Sequence, residues 1–346
     1  MRTLPNFSLK SLNSFGFDIS AEEYIAVESS DVLRQAIDYA KSKSMPWYVL
    51  GGGSNLVIHE NLPGLTIHVH IMGKKLVTKT SSHALVDVGA GENWHEFVQW
   101  TLDNNLPGLE NLALIPGTCG AAPIQNIGAY GSEIGQFIDS IEVLDTQQDD
   151  DELRWQTLTK ADCQFKYRHS VFKDHPGRYI VTQVRLAIPL EWCPNLQYAE
   201  LAKHTSNISP LLPLDIFEAV CKIRQAKLPD PKVLGNAGSF FHNPVVDEST
   251  YLSLKEKFPN LVSFPSQTVN GQAQFKLAAG WLIDQCGFKG YRQGDIGVYD
   301  KQALVLVNHG HGNGKELLQL ATLIQEKIHA VYGVDLTQEP MNLPTS

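Results

Sequence analysis

Two glycine-rich segments in the first half of the chain could hold a phosphate group or an aromatic cofactor. They are residues 51–55 (Gly-Gly-Gly-Ser-Asn) and the weakly charged stretch 107–131. Glycine lets a backbone approach a phosphate closely, and successive N–H groups form an anion-binding concavity. Taken alone, 51–55 fits a tight hairpin as well as a ligand loop, because it lacks both a dinucleotide fingerprint and a Walker A lysine. Two such segments in one domain favour a flavin dinucleotide, whose ring needs an apolar slot with backbone donors.

Two polar side chains elsewhere could act on a bound substrate. Arg168 lies in a stretch of cations and aromatics, 163–173, and a guanidinium can bind a carboxylate through two hydrogen bonds. The spacing alone favours a surface strand with a cation–aromatic contact. Ser239 lies between Gly238 and two phenylalanines, outside any Gly-x-Ser-x-Gly elbow, which disfavours a hydrolase nucleophile. It is suited to a proton relay, or to a simple turn.

Composition excludes several classes of protein. The 346 residues have a net charge of -9 and no basic run, which argues against a nucleic-acid partner. No stretch approaches about 18 consecutive apolar residues, and the N-terminus lacks an apolar leader, so we expect no membrane association. The five cysteines are widely spaced without a Cys-x-x-Cys pair, which argues against disulfides and structural zinc. We therefore expect a cytoplasmic protein with no metal site.

Hydrophobic periodicity and capping residues predict the elements that would position these segments. Ser30 is predicted to cap the first helix, Asn93 the second and Asn313 the last, which should end at Gly333. Two further helices are predicted over 213–227 and 277–286, and a loop over 235–244. The prolines at 229 and 231 mark a domain boundary. Strands are predicted over 47–50, 56–58, 65–71, 84–88, 141–144, 179–188 and 303–307.

Taken in order, these motifs resemble the UDP-N-acetylenolpyruvoylglucosamine reductase (MurB) family, in its longer type with a tyrosine loop. The resemblance extends over residues 14–339, nearly the whole chain. Each string is modest alone, and their order makes the match specific. The matching strings are residues 50–55, 88–91, 107–110, 115–117, 123–131, 167–170, 228–231, 238–241 and 278–284.

The resemblance implies an α+β fold. It consists of a two-subdomain FAD-binding module of the vanillyl-alcohol-oxidase/PCMH type and a C-terminal α+β substrate-binding domain. The implied boundaries are 1–70 and 71–227 for the FAD-binding subdomains and 228–333 for the substrate domain. The tail, 334–346, is expected to return to the active site. A monomer is expected.

The implied activity is NADPH-dependent reduction of UDP-N-acetylglucosamine enolpyruvate to UDP-N-acetylmuramate through bound FAD. In the family, a hydride reaches the enolpyruvyl methylene and a proton reaches the adjacent carbon. The matching catalytic positions are Arg168, Ser239 and Glu339, and the substrate contacts are Tyr167, Tyr198, Lys227 and Asn243. The implied FAD contacts are Gly51, Gly52, Gly53, Ser54, Asn55, Ile115, Pro116, Gly117, Gln125, Asn126, Gly128, Ala129, Tyr130 and Gly131.

The tail departs from the family pattern, because Pro340 and Met341 follow Glu339 where the family has valine and often arginine. Two other functions stay open from the sequence. One is a related FAD-dependent oxidase of the same fold, which would not need the set of Arg168, Ser239 and Glu339. The other is an inactive flavoprotein that only binds nucleotide sugars.

Overall fold

The structure is a computed structural model that describes residues 1–147, 153–266, 268 and 271–344. The chain divides into two compact units. Unit one comprises Met1–Phe7, Ser20–Gly53 and Leu62–Ala226, and unit two comprises Ser8–Ile19, Ser54–Asn61 and Lys227–Ser346. Unit two therefore combines two short segments from the N-terminal part of the chain with its whole C-terminal part.

The described residues form an α+β arrangement, as expected. The α-helices are α1 (Ser30–Ser42), α2 (Trp94–Asp103), α3 (Val171–Asp174), α4 (Ala199–Thr205), α5 (Pro213–Lys227), α6 (Glu248–Lys257), α7 (Ala279–Gln285) and α8 (Gly314–Tyr332). The strands are β1 (Leu4–Ser8), β2 (Ser20–Val27), β3 (Trp47–Leu50), β4 (Leu56–Ile58), β5 (Leu62–Val69), β6 (Lys74–Lys79), β7 (His83–Gly89), β8 (Gly128–Ala129), β9 (Ser132–Glu133), β10 (Ile138–Asp145), β11 (Arg154–Thr159), β12 (Tyr179–Pro189), β13 (Gly235–Ser239), β14 (Val245–Asp247), β15 (Ser263–Pro265), β16 (Gln274–Leu277), β17 (Arg292–Gln293), β18 (Ile296–Val298), β19 (Val305–Asn308) and β20 (Met341–Leu343).

Unit one contains a four-stranded sheet in the order β1-β2-β5-β3, in which β2, β5 and β3 are parallel. Helix α1 buries its apolar face, which includes Leu33 and Ile37, in the core of this unit. The cap of α1 is Ser29 and not Ser30: the Ser29 hydroxyl accepts from the Val32 N–H at 3.3 Å. Ser29 has the extended backbone that a cap requires, whereas Ser30 is already helical.

The second sheet of unit one is antiparallel, in the order β11-β10-β12-β7-β6. Helix α2 follows β7, and the side chain of its predicted cap, Asn93, accepts from the Glu96 N–H at 3.0 Å. The first helical residue, Trp94, is buried, and its indole N–H donates to the Leu112 carbonyl at 2.8 Å. This bond ties α2 to the second glycine-rich segment.

Unit two is built around the sheet β13-β19-β18-β17 and the long helix α8. Asn313 and Glu316 form the predicted capping box, and Gly333 ends α8 in the left-handed conformation, with φ 65°. The apolar core of unit two contains the stacked rings of Phe15 and Phe17, whose centroids lie 5.1 Å apart. The N-terminal segment is therefore part of this core.

The predicted loop over 235–244 is wrong, because Gly235–Ser239 forms strand β13 and pairs with β19. A Cβ atom on Gly235 would lie 2.2 Å from the Phe15 carbonyl oxygen. This glycine is required by the close approach of another backbone, and not by a turn. Among the residues that the structure describes, no helix is long and apolar enough to cross a membrane, and no cluster of acidic, histidine or cysteine side chains could hold a metal ion.

The capping box of α8 gives a test of the fold. Replacement Asn313→Ala should destabilise the protein by about 1 kcal/mol and lower the thermal midpoint by about 2–4 °C, because the first turn of α8 loses its side-chain acceptor. Differential scanning calorimetry measures this shift. Glu326→Ala, on the exposed surface of the same helix, serves as the control. Equal midpoints for the two variants would contradict a stabilising cap.

Candidate active site

The two glycine-rich segments pack backbone against backbone in unit one. A Cβ atom on Gly52 would lie 2.8 Å from the Gly117 Cα, and one on Gly51 would lie 2.7 Å from the Thr118 Oγ1. Gly53 and Gly117 have φ angles of 60° and 116°, which favour glycine. Glycine at positions 51 and 52 is therefore needed by the contact itself.

The first of these loops follows directly from β3. Parallel strands β2, β5 and β3 direct their carboxyl ends to the same edge of the sheet, and ligands bind at that edge in open α/β sheets. A run of three glycines at such an edge fits the pyrophosphate of a flavin dinucleotide. Ser54 and Asn55, which continue the loop, already belong to unit two.

Arg168 crosses a small hairpin formed by β8 and β9. Its Nη2 donates to the Gly128 carbonyl at 2.7 Å, and a Cβ atom on Gly128 would lie 2.9 Å from the other guanidinium nitrogen, Nη1. Tyr130 and Gly131 form the turn of this hairpin with φ angles of 49° and 85°. Glycine at position 128 therefore makes room for the guanidinium group.

The backbone that carries Arg168 is itself a tight turn, and not the surface strand that spacing favoured. Lys166 and His169 exchange two backbone hydrogen bonds of 3.0 and 3.1 Å, with Tyr167 and Arg168 between them. Arg168 has φ 53°, a conformation that costs a side-chain-bearing residue about 1–3 kcal/mol. Such strain is typical of functional positions. The Arg168 guanidinium lies 5.4 Å from the centroid of the Tyr167 ring.

Asn126 joins the two segments that surround Arg168. Its amide nitrogen donates to Glu133 Oε2 at 2.9 Å and to the Lys166 carbonyl at 3.0 Å, while its oxygen accepts from the Gly135 N–H at 2.9 Å. The side chain is buried and its amide groups are engaged within the protein. Any contact of Asn126 with a cofactor would therefore involve its backbone.

Arg224, on α5, is a residue that sequence reasoning missed. Its Nε donates to the Leu114 carbonyl at 3.3 Å, and its side chain hydrogen-bonds to Tyr130. Burial lowers the pKa of Arg224 and raises that of Tyr130 to about 12, while the nearby charge of Arg168 adds to the lowering for Arg224. Two guanidinium groups, those of Arg168 and Arg224, therefore contact the same hairpin. The only sequence signal was a cation one turn before Lys227.

The segment that carries Tyr198 is docked on the same hairpin. The rings of Tyr198 and Tyr130 meet edge to face, with centroids 5.0 Å apart. The Asn195 amide donates to the Gly131 carbonyl at 3.0 Å and to the Ser132 hydroxyl at 3.1 Å. Asn111 donates to the carbonyls of Tyr130 and Asn195 at 2.8 and 2.9 Å. Side-chain amides thus hold the segment closed over the hairpin.

In unit two, the tail brings Glu339 beside the strand that carries Ser239. The Glu339 N–H donates to the Phe240 carbonyl at 2.9 Å, and the His242 N–H donates to the Thr337 carbonyl at 2.9 Å. Ser239 is exposed at the end of β13, directly before Phe240. The two predicted catalytic residues are therefore held by one antiparallel backbone pairing.

The same tail contacts the residues that follow the glycine loop. The Asn55 amide donates to the Glu339 carbonyl at 3.5 Å, and the Asn55 carbonyl accepts from the Met341 N–H at 3.0 Å. Strand β20 then pairs in parallel with β4. The tail thus connects the predicted FAD residue Asn55 with the predicted catalytic residue Glu339.

The other predicted residues divide between the two units. Ile115, Ala129 and Tyr130 pack against the core of unit one, whereas Lys227 ends α5 and belongs to unit two. The Asn243 Oδ1 accepts from the Ala279 N–H at 2.9 Å and so caps α7. Unit one holds Gly51, Gly52, Gly53, Ile115, Pro116, Gly117, Gln125, Asn126, Gly128, Ala129, Tyr130, Gly131, Tyr167, Arg168 and Tyr198; unit two holds Ser54, Asn55, Lys227, Ser239, Asn243 and Glu339.

Sequence profiles of two families match the chain. The profile of an FAD binding domain matches residues 21–149, which include both glycine-rich segments. The profile of the C-terminal domain of UDP-N-acetylenolpyruvoylglucosamine reductase matches residues 230–343, which include Ser239 and Glu339.

Relatives match over nearly the full length. The UDP-N-acetylenolpyruvoylglucosamine reductase of Polynucleobacter asymbioticus is 51% identical over 97% of this chain and 95% of its own, and that of Ralstonia nicotianae is 44% identical over 97% and 98%. The crystal structure of the corresponding reductase (MurB) from Thermus caldophilus superimposes with a TM-score of 0.69, at 26% identity over 99% of this chain and 100% of that chain. A solvent-stable cholesterol oxidase shares the fold, with a TM-score of 0.51, 10% identity and coverage of 97% and 86%.

The contact between the glycine loops gives a second test. Replacement Gly52→Ala should weaken FAD binding on the order of 10- to 100-fold, because overpacking of about 1–3 kcal/mol must separate the two loops. Flavin content after gel filtration and fluorescence titration of the apoprotein measure this loss. Gly271→Ala is the control, since that glycine has φ 78° but open space around its Cβ position. Unchanged flavin retention in Gly52→Ala would contradict the assignment.

Proposed function

Because this chain belongs to the UDP-N-acetylenolpyruvoylglucosamine reductase family, we propose that Arg168, Ser239 and Glu339 perform the reduction for which that family is named. The chain is an FAD-dependent oxidoreductase with NADPH as reductant, and it acts in the synthesis of peptidoglycan precursors. Its substrate is UDP-N-acetylglucosamine enolpyruvate. The observation that carries the residue assignment is the backbone pairing of Glu339 with Phe240, next to Ser239.

FAD, when bound, supplies the hydride that NADPH provides and that the enolpyruvyl double bond accepts. The chain must therefore stabilise the negative charge that develops beside the substrate carboxylate, and it must deliver one proton to the adjacent carbon. Together the hydride and the proton saturate the double bond, while NADPH leaves as NADP⁺. The two tasks require a fixed cation and a fixed acid.

We assign the cation to Arg168. A guanidinium is permanently charged and binds carboxylates through two parallel hydrogen bonds. Its bond to the Gly128 carbonyl and the strained turn that carries it both restrict its orientation. A cation fixed before the reaction needs little reorganisation in the transition state, which is the condition for electrostatic catalysis.

We assign the proton delivery to Ser239. A free hydroxyl is a weak acid, so Ser239 can act only while it is positioned and hydrogen-bonded. The pairing of the tail with Phe240 supports such positioning, and it brings Glu339 to the same strand end. Pro340 and Met341 do not disturb this pairing, although they depart from the family pattern.

Substrate binding is proposed for four residues. Lys227 and Asn243 would contact the diphosphate, and Tyr167 and Tyr198 would contact the rest of the substrate. The Asn243 oxygen accepts from the Ala279 N–H, so the amide group has a fixed position, and its nitrogen is the donor that would serve an anionic partner.

The remaining assignments follow from the sequence. We propose a monomer. We also propose a location in the cytoplasm, because the five cysteines are widely spaced and include no Cys-x-x-Cys pair. We also retain the three domains 1–70, 71–227 and 228–333, with the tail 334–346 at the active site.

Anaerobic absorption spectroscopy with two successive additions tests the whole reaction. NADPH should bleach the flavin, and UDP-N-acetylglucosamine enolpyruvate should restore its colour. Bleaching without recovery would mean that UDP-N-acetylglucosamine enolpyruvate does not reoxidise the flavin, and it would favour a related oxidase. Failure of the protein to take up FAD on reconstitution would contradict the proposal that it is a flavoenzyme.

The role of Ser239 is tested by Ser239→Ala. Flavin reduction by NADPH should stay nearly intact, while reoxidation by substrate should slow by a factor on the order of 10²–10⁴, because proton delivery is lost. Stopped-flow absorbance separates these half-reactions. Ser253→Ala, an exposed serine on α6, is the matched control. An equal loss in both half-reactions of Ser239→Ala would contradict proton delivery.

A further inference from the structure

His242, which no motif singled out, lies beside the predicted catalytic glutamate in unit two. Its Nδ1 is 3.9 Å from Glu339 Oε2, within ion-pair distance. The side chains are only 14% and 13% exposed. Water therefore screens the interaction between these two side chains weakly.

The side chains of this pair are less exposed than those of His169–Asp174 and His329–Asp335. In His169–Asp174 the side chains are 34% and 45% exposed, and in His329–Asp335 they are 65% and 86% exposed. Surface pairs of that kind contribute little. A carboxylate withdrawn from water, as in Glu339, requires a compensating cation or hydrogen bonds.

The backbone on both sides of Glu339 is already fixed. Its own N–H is bonded to the Phe240 carbonyl, and the Gln338 amide donates to the Pro340 carbonyl and to Asn342 Oδ1 at 2.7 Å each. The Glu339 side chain extends from this fixed backbone, and an anchored imidazolium 3.9 Å from its Oε2 restricts the orientation of the carboxylate.

His242 is anchored independently of its side chain. Its N–H donates to the Thr337 carbonyl at 2.9 Å, and the next residue, Asn243, is fixed by its bond to the Ala279 N–H. The imidazole is therefore presented by a rigid backbone to the carboxylate on the paired tail.

We propose that His242, in its protonated form, is a positioning residue for Glu339. The imidazolium charge compensates and orients the Glu339 carboxylate during the substrate half-reaction. This inference rests on the proposed catalytic role of Glu339. It assigns no bond-making step to His242. The reduction of flavin by NADPH should not depend on it.

Two substitutions in the holoenzyme separate charge from shape. His242→Gln keeps hydrogen-bonding groups and removes the charge, while His242→Lys keeps a permanent cation. We expect His242→Gln to slow reoxidation of reduced flavin by substrate on the order of 10-fold and to leave reduction by NADPH unchanged. His242→Lys should recover the rate to within about threefold of the parent. Equal losses in both variants, or a raised KM alone, would overturn the inference.

A double-mutant cycle with Glu339→Gln tests whether His242 acts through the glutamate. In the Glu339→Gln background, His242→Gln should cause no further loss in reoxidation. An equal factor in both backgrounds would overturn the inference while leaving Glu339 catalytic. If Glu339→Gln alone reoxidised at the parent rate, the proposed role of Glu339 would fail instead.

His329→Gln is the matched control. It removes a histidine from an exposed pair with Asp335 in the same unit. Both half-reactions should keep their parent rates in this variant. A loss in His329→Gln equal to that in His242→Gln would mean that removal of any paired histidine perturbs unit two, and it would overturn the specific role.

Discussion

The close contact of backbone with backbone is the constraint on which unit one depends. Gly52 lies against Gly117, and the same relation recurs in the next layers. A Cβ atom on Gly120 would lie 2.4 Å from the Ala90 Cβ, and one on Gly91 would lie 2.7 Å from the His70 Cα. The loops therefore form a stack whose spacing is set by glycine. Larger residues would separate the strands and helices that deliver the loops, and with them the proposed cofactor surface.

Unit two solves a different problem, which is to hold acidic and hydroxyl side chains in place at a strand end. It does so with main-chain hydrogen bonds from the tail. The Asn55 amide adds a bond to the Glu339 carbonyl, and the Gln338 amide stabilises the tail itself. Backbone pairing of this kind tolerates changes in the neighbouring side chains. This tolerance explains why Pro340 and Met341 can follow Glu339 without displacing it.

The features that sequence could predict are those with local signals. Asn93 and Asn313 cap their helices through residues three positions away, so the pattern is complete within a few residues. Strand β13 was missed because its first glycine, Gly235, is required by the close approach of Phe15, which is distant in sequence. The family motifs predicted both glycine loops and Ser239 as site positions.

The supporting side chains of the site had no such signal. Arg224 can be identified only because α5 places its side chain against Tyr130. His242 can be identified only because the tail places Glu339 beside it. Isolated positions of this type carry no spacing that distinguishes them from surface residues. Their roles follow from tertiary contacts alone.

The pairing of β20 with β4 also has a consequence for the order in which the protein can fold. The His59 ring and the Pro344 carbonyl, 285 positions apart, lie 3.2 Å from one another at the end of this pairing. During synthesis, β4 leaves the ribosome long before β20 exists. Contacts between residues so far apart in the sequence form late. A nascent or truncated chain can therefore complete α1 and the first parallel sheet, but it lacks the segment that carries the proposed catalytic residue Glu339 until β20 has been synthesised.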